Sequence, residues 1–150
     1  MHARWYRRLF NLYPPFVGAG VRVTHISPDW RELRVRLPLR WYNRNYVGTQ
    51  FGGSLYTMTD PFLMIMVMKN LGPDYVVWDR AAEIEFVAPG RGAVTAEFAL
   101  TDAQLDDIRA NTGAGRHLPW FSVDVKAADG TVVARVRKQL YVRRKDRERL

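Results

Sequence analysis

The clearest alternation in the chain runs through Leu33, Val35, Leu37 and Leu39, set against Arg34, Arg36 and Arg40. A period of two with a single apolar face predicts an antiparallel strand buried on one side. Val21, Val23 and His25 alternate with Arg22 and Thr24 and predict a strand before it, turned by Ser27-Pro28-Asp29. Four further strands are predicted. Val76 to Val87 sets Ile84 and Phe86 opposite Glu83 and Glu85, and Val94 to Leu100 follows the turn Pro89-Gly90-Arg91-Gly92. His117 to Lys126 and Val132 to Val142 pair across Ala128-Asp129-Gly130, a hairpin signal of the Asp-Gly kind. Between these pairs, Thr101-Asp102 opens a short helical or looped excursion to Gly115.

Two stretches carry the helical period instead. Over residues 4–13, Trp5, Leu9 and Leu12 share a stripe with Phe10 and Tyr13 beside it, while Arg4, Arg7 and Arg8 lie elsewhere. This predicts an N-terminal amphipathic helix within residues 1–15, ended by Pro14-Pro15. From Gly52 to Leu71 apolar residues occur on most sides (Leu55, Tyr56, Met58, Phe62, Leu63, Ile65, Met66), and Gly72-Pro73 stops the run. A helix of that length spans about 30 Å, enough to cross a small sheet, and one so uniformly apolar belongs in the interior. Asp60-Pro61 inside it has two readings. Asp60 caps a helix that starts at Pro61, or Pro61 kinks one long helix and frees the Thr57 carbonyl. The order of elements gives an α+β fold, an antiparallel sheet wrapped around a long central helix. The charged tail, residues 143–150, is expected to fray.

Length and composition narrow the possibilities. At 150 residues the chain fits one domain, residues 1–150. It has no cysteine, which excludes disulfides, thiolate metal sites and a cysteine nucleophile. The three histidines, His2, His25 and His117, show no metal-ligand spacing, so no metal is expected. Met1 to Tyr13 lacks the continuous apolar stretch of a secretory signal, and the longest apolar run, Phe62 to Met68, is too short to span a membrane. A cytoplasmic protein is expected. Net charge is +8, concentrated at +6 in residues 1–40 and +6 in 116–150, against −4 in 75–115. Such a surface suits nucleic acid, an anionic membrane, a phosphate-bearing ligand such as coenzyme A, or simply water. Arg135, Arg137, Lys138, Arg143 and Arg144 are candidates for phosphate contacts on the last strand. No RNA-recognition motif accompanies the basic segments, and no nucleic-acid partner is expected.

The chemistry concentrates in Asn45 to Asp60. Gly52-Gly53 at a helix start leaves amide N–H groups open to an oxyanion at the positive end of the helix dipole. Asp60 is a carboxylate on an otherwise apolar helix. Within one chain it is about 10 Å from Gly53, too far for both to act on one atom, but a two-fold dimer could join Gly52 of one subunit to Asp60 of the other. Taken singly, Gly52-Gly53 is a turn signal and Asn45 a turn residue.

Asn45, Gly48, Thr49, Gly52, Gly53 and Asp60 stand at the spacings of the N-x-x-G-T-x-[H]-G-G-x6-D pattern. On these positions the chain resembles hot-dog thioesterases of the phenylacetate-degradation type. It is most similar to an uncharacterised subgroup with Asp-Pro on the central helix and a Trp-Asp pair before the third strand, here Trp78-Asp79 within Trp78 to Gly90. The order of elements agrees from Val17 to Val142. The resemblance implies a hot-dog fold and acyl-CoA thioester hydrolysis between the subunits of a dimer or tetramer. Asp60 would activate water or attack the carbonyl, the Gly52 amide would polarise it, and Asn45 would position acyl group or water. Gly53, Thr49, Phe51 and Asp79 would line the substrate site, with coenzyme A as part of the substrate and no separate cofactor.

This sequence departs from the pattern twice. Phe51 stands where many relatives have histidine, and Asp79 is the nearest match to a serine or threonine that orients water. Asp79 could act with Asp60 or form a salt bridge with Arg80. The departures keep a second function in play, a non-catalytic acyl-CoA-binding protein.

Overall fold

The computed structural model describes residues 3–145. Helix α1 (Ala3–Leu12) is followed by a second short helix, α2 (Pro14–Ala19). Pro14-Pro15 therefore opens a helix as well as closing one, because proline lacks only an N–H that the first turn would leave unpaired. The strands β1 (Arg22–Ile26) and β2 (Glu32–Leu37) follow; Pro38 ends β2 two residues short of the alternation that reached Leu39.

The predicted central helix is in two pieces, α3 (Gly52–Thr57) and α4 (Phe62–Leu71). Between them, Thr59 N donates to the Tyr56 carbonyl (2.9 Å) and Asp60 N to the Thr57 carbonyl (3.3 Å), tighter three-residue spacings. Pro61 has no N–H with which to continue the ladder, and helical bonding resumes from Ile65 N to the Pro61 carbonyl. The buried face survives the break: Leu55, Met58, Phe62, Leu63, Met66 and Val67 all join the core.

Strand β3 (Tyr75–Phe86), β4 (Val94–Ala99), helix α5 (Asp102–Asn111), β5 (Arg116–His117), β6 (Trp120–Ala127) and β7 (Val132–Arg144) complete the chain. Thr101 and Gln104 form a reciprocal capping box that settles the excursion after β4 as a helix. Pro119 splits the strand predicted from His117, separating β5 from β6. Strand β7 continues past Val142, for Arg143 and Arg144 pair with Val76 and Tyr75, so they are not part of a frayed tail. The rest of that tail, residues 146–150, and His2 lie outside the described residues.

All strand pairings are antiparallel, in the order β1-β2-β4-β6-β7-β3. The inner face contributes Val35, Leu37, Ala96, Phe98, Val125, Val136 and Leu140 to the same core as α3 and α4. The sheet wraps the broken helix, which is the α+β hot-dog architecture. Phe62, wholly buried beside Phe10, Phe16 and Phe98, is the central packing residue; burial of such a ring stabilises by about 1.5–3 kcal/mol. No helix among the described residues is long and apolar enough to cross a membrane.

Candidate active site

The break between α3 and α4 carries Asp60, and its position decides between the two readings of Asp60-Pro61. Pro61 is the residue flanking α4, and no side chain caps that helix. Asp60 is not a cap. Its Oδ1 accepts from the Tyr56 hydroxyl (2.8 Å), one turn back on α3, and from Lys138 Nζ (2.9 Å) on β7. Lys138 Nζ also donates to the Tyr56 hydroxyl at 3.3 Å.

Lys138 is the unexpected member of this group. Outward positions Arg135 and Arg137 alternate with inward Val136, Lys138 and Leu140, and the Lys138 side chain is 0% exposed. A buried ammonium is tolerated only with opposite charge beside it. It has two: Asp60, and Asp79 Oδ1 at 3.3 Å. Asp79 is brought there by the register of β3 with β7. It lies opposite Leu140, an inward residue, just before a bulge at Arg80 that shifts the pairing so that Ala82 faces Lys138. The 3.3 Å contact is an ion pair without hydrogen-bond alignment, so the buried Asp79 Oδ1 has no hydrogen-bond partner.

The electrostatics follow from that packing. Burial pushes the Asp79 carboxyl above its ordinary range, and the Lys138 charge offsets this only in part. Burial pulls the Lys138 ammonium down, but the Asp60 hydrogen bond and the charges of Asp79 and Asp60 outweigh it, leaving lysine above its usual value. Burial and the Asp60 hydrogen bond both raise the Tyr56 phenol. Lysine is therefore charged at neutral pH, held between two carboxylates.

The remaining sequence candidates form a second group. The Asn45 side chain is used within its own loop: Oδ1 accepts from Val47 N and Thr49 N, and Nδ2 donates to Thr49 Oγ1 and the Gln50 carbonyl. Asn45 and Thr49 thus fix the turn that delivers the chain to Gly52. Phe51 flanks α3, and its ring lies over Gly53, where an added Cβ would meet it at 2.5 Å. The Phe86 ring, at the end of β3, approaches Gly52 to 3.1 Å from the same hypothetical atom. A side chain at either position would have to push aside a ring that is more than half exposed, so these contacts favour glycine without requiring it. Gly52 opens α3 and Asp60 lies three residues past its end, about 12 Å away at the helical rise per residue, and the two do not converge.

Arg80 donates to Gln139 Oε1 (3.1 Å), so the salt-bridge partner of Asp79 is Lys138 and not Arg80. Lys138, grouped in the sequence with outward basic residues, faces inward, while Arg135 and Arg137 pair with Asp124 and Glu83. Sequence reading missed Lys138 and Tyr56 as neighbours of Asp60. The alternation Val136-x-Lys138-x-Leu140 was the available signal, since it places a charge at an inward position that demands a partner.

The family described as "Domain of unknown function (DUF4442)" matches residues 3–142. No curated protein matches the sequence. Among solved structures, a Pseudomonas aeruginosa protein of unknown function, described as a probable thioesterase, superposes with a TM-score of 0.82 at 19% identity, covering 96% of this chain and 97% of that one. A thioesterase from Haemophilus influenzae gives 0.71 at 12% identity, covering 100% and 96%. A variant thioesterase from Pseudomonas aeruginosa gives 0.68 at 13% identity, covering 93% of each chain. At these identities the likeness shows a shared fold.

Proposed function

The chain belongs to the DUF4442 family, and we propose that it is a cytoplasmic enzyme hydrolysing acyl-CoA thioesters, with Asp60 as general base. One observation carries this reading. Asp60 is not consumed in closing a helix, and its side chain, 48% exposed, is held on one oxygen by groups from α3 and β7. A carboxylate fixed and still open to solvent is what water activation needs. Similarity of the fold to proteins described as thioesterases supports the choice of substrate bond.

In this reaction Asp60 takes a proton from water while the water oxygen bonds to the carbonyl carbon. Collapse of the resulting tetrahedral centre breaks the C–S bond, and the departing thiolate takes the proton back, leaving acid and thiol. The Gly52 amide, in the first turn of α3 where no intrahelical partner exists, would stabilise the oxyanion. Since Gly52 and Asp60 of one chain do not meet, the site would combine them from two copies. Strand β3 supports that assembly: it pairs with β7 along one edge, and among the described residues its other edge has no strand partner. Twelve residues give about 40 Å of unpaired backbone. A solution mass of one chain would remove this arrangement.

Asp60→Asn is expected to lower kcat at least about 100-fold in an assay against a panel of acyl-CoAs, with the thermal transition retained. Unchanged turnover would refute the reading. The rings of Phe51 and Phe86 over the glycine pair favour one alternative, an acyl-CoA-binding protein without turnover. Saturable binding with no hydrolysis by the unaltered protein would select it.

A further inference from the structure

We propose that Lys138, acting with Tyr56, is a positioning residue that clamps Asp60 by one oxygen so that the other is presented to the attacking water. This rests on the assignment of Asp60 as the base. Both the Lys138 ammonium and the Tyr56 hydroxyl converge on Oδ1, and no hydrogen bond to Oδ2 occurs among the described residues. A carboxylate held at one oxygen by two donors from different elements loses its freedom to rotate, and its free lone pairs keep a fixed direction. A free aspartate beside a helix break would have no such constraint.

Asp79 supports the clamp. Burial disfavours the Lys138 charge, and the Asp60 hydrogen bond together with the charges of Asp79 and Asp60 outweighs it. The charged and titratable groups that meet Lys138 are Tyr56 from α3, Asp60 from the helix break and Asp79 from β3. Three ionised groups leave one net negative charge in the cluster: the ammonium is balanced by one carboxylate and the other remains available. Asp79 has no hydrogen-bond donor of its own at Oδ1, consistent with a counter-ion whose task is to keep the ammonium charged. Asp79 is then a supporting residue, and the Trp78-Asp79 pair in the sequence finds its chemistry through β7.

Lys138→Met keeps the length and the apolar stem and removes the charge. In that variant kcat is expected to fall about tenfold or more with KM changed less than about threefold, the pattern of a lost transition-state contribution. Two carboxylates then share the site without a cation, so the acid limb of the pH profile moves up. Lys138→Arg should recover part of kcat and return the limb towards its original place. Tyr56→Phe, which removes the second donor and no charge, should lower kcat by a smaller factor and leave the limb where it was. Independently of turnover, carbon-13 NMR of the Asp79 carboxyl should show its titration displaced upwards in Lys138→Met. Unchanged kcat and pH profile in a folded Lys138→Met overturn the clamp, as does unchanged kcat in Tyr56→Phe should the methionine variant not fold. If the unaltered protein has no turnover, an Asp79 titration unmoved by Lys138→Met overturns it. Full activity in Asp60→Asn would instead refute the assignment of the base.

Discussion

Strand β7 carries basic residues on both faces, and the two faces use charge differently. Outward, Arg137 pairs with Glu83 (2.8 Å) and lies over the Trp120 ring, and Arg135 pairs with Asp124 (3.0 Å). Their side chains are about half exposed, so water replaces any partner that is lost. Inward, one residue along from Arg137, Lys138 has no access to water and depends entirely on Tyr56, Asp60 and Asp79. The same kind of ion pair is therefore optional on one face and obligatory on the other. What separates them is the solvent behind each pair, not its length.

The largest separation should come from removing all the acid partners at once. Asp60→Asn with Asp79→Asn leaves a buried ammonium without counter-charge, and a loss of about 3 kcal/mol is expected in urea unfolding at neutral pH. The matching outward pair, Glu83→Gln with Asp124→Asn, should lose no more than about 1 kcal/mol. In the inward variant Lys138 would be depressed below its usual range, so the unfolded state binds protons more readily and the loss should deepen as pH falls. Equal losses on the two faces would abolish the distinction.

Next comes Lys138→Met. Removing the cation leaves two carboxylates that retain partial contact with water, so the loss should be smaller, about 1–2 kcal/mol after allowing for that screening. The pH dependence has a definite sign. Lys138 is raised above the ordinary lysine value of 10.5, so its contribution is complete below that value and is lost as pH climbs through the higher folded-state one. The gap between the unaltered protein and the variant should be flat through neutrality and close in strong alkali. A gap that stayed fully open in strong alkali would show that the lysine charge is not its source.

How much of this could be read from the chain depends on range. Strand β2 was visible because its alternation of leucine, valine and arginine is local, and the turn at Ala128-Asp129-Gly130 likewise needs only its own residues. The helix break was half visible: Pro61 forbids one bond wherever it stands, but whether the chain kinks or stops depends on the sheet around it. Asp60 was identified through spacing and resemblance, as were Gly52 and Asn45. Lys138 was not, because its role arises from a register between β3 and β7 that sets Asp79 opposite Leu140, the next inward residue along the strand from Lys138. The basic series Arg135, Arg137 and Lys138 reads as a solvated strand until its inward position is separated from its outward ones.

The smallest effect is the sharpest control. Arg137→Met removes one ion pair with Glu83 and a cation–π contact with Trp120 at 4.6 Å, both at the surface. Such a pair contributes about 0.2–1 kcal/mol and a stacked exposed cation about as much, but methionine keeps some packing on the tryptophan, so a net loss near 0.5 kcal/mol is expected. Whatever part is ionic should shrink between about 0.1 M and 1 M salt, where the screening length drops from roughly 10 to 3 Å. The loss in Lys138→Met should shrink less over the same range, because the ammonium itself is shut off from mobile ions although its carboxylate partners touch water. If Arg137→Met proved as damaging as Lys138→Met and no more sensitive to salt, the outward face would be carrying a buried network of its own, and the inward lysine would lose its claim to a special role.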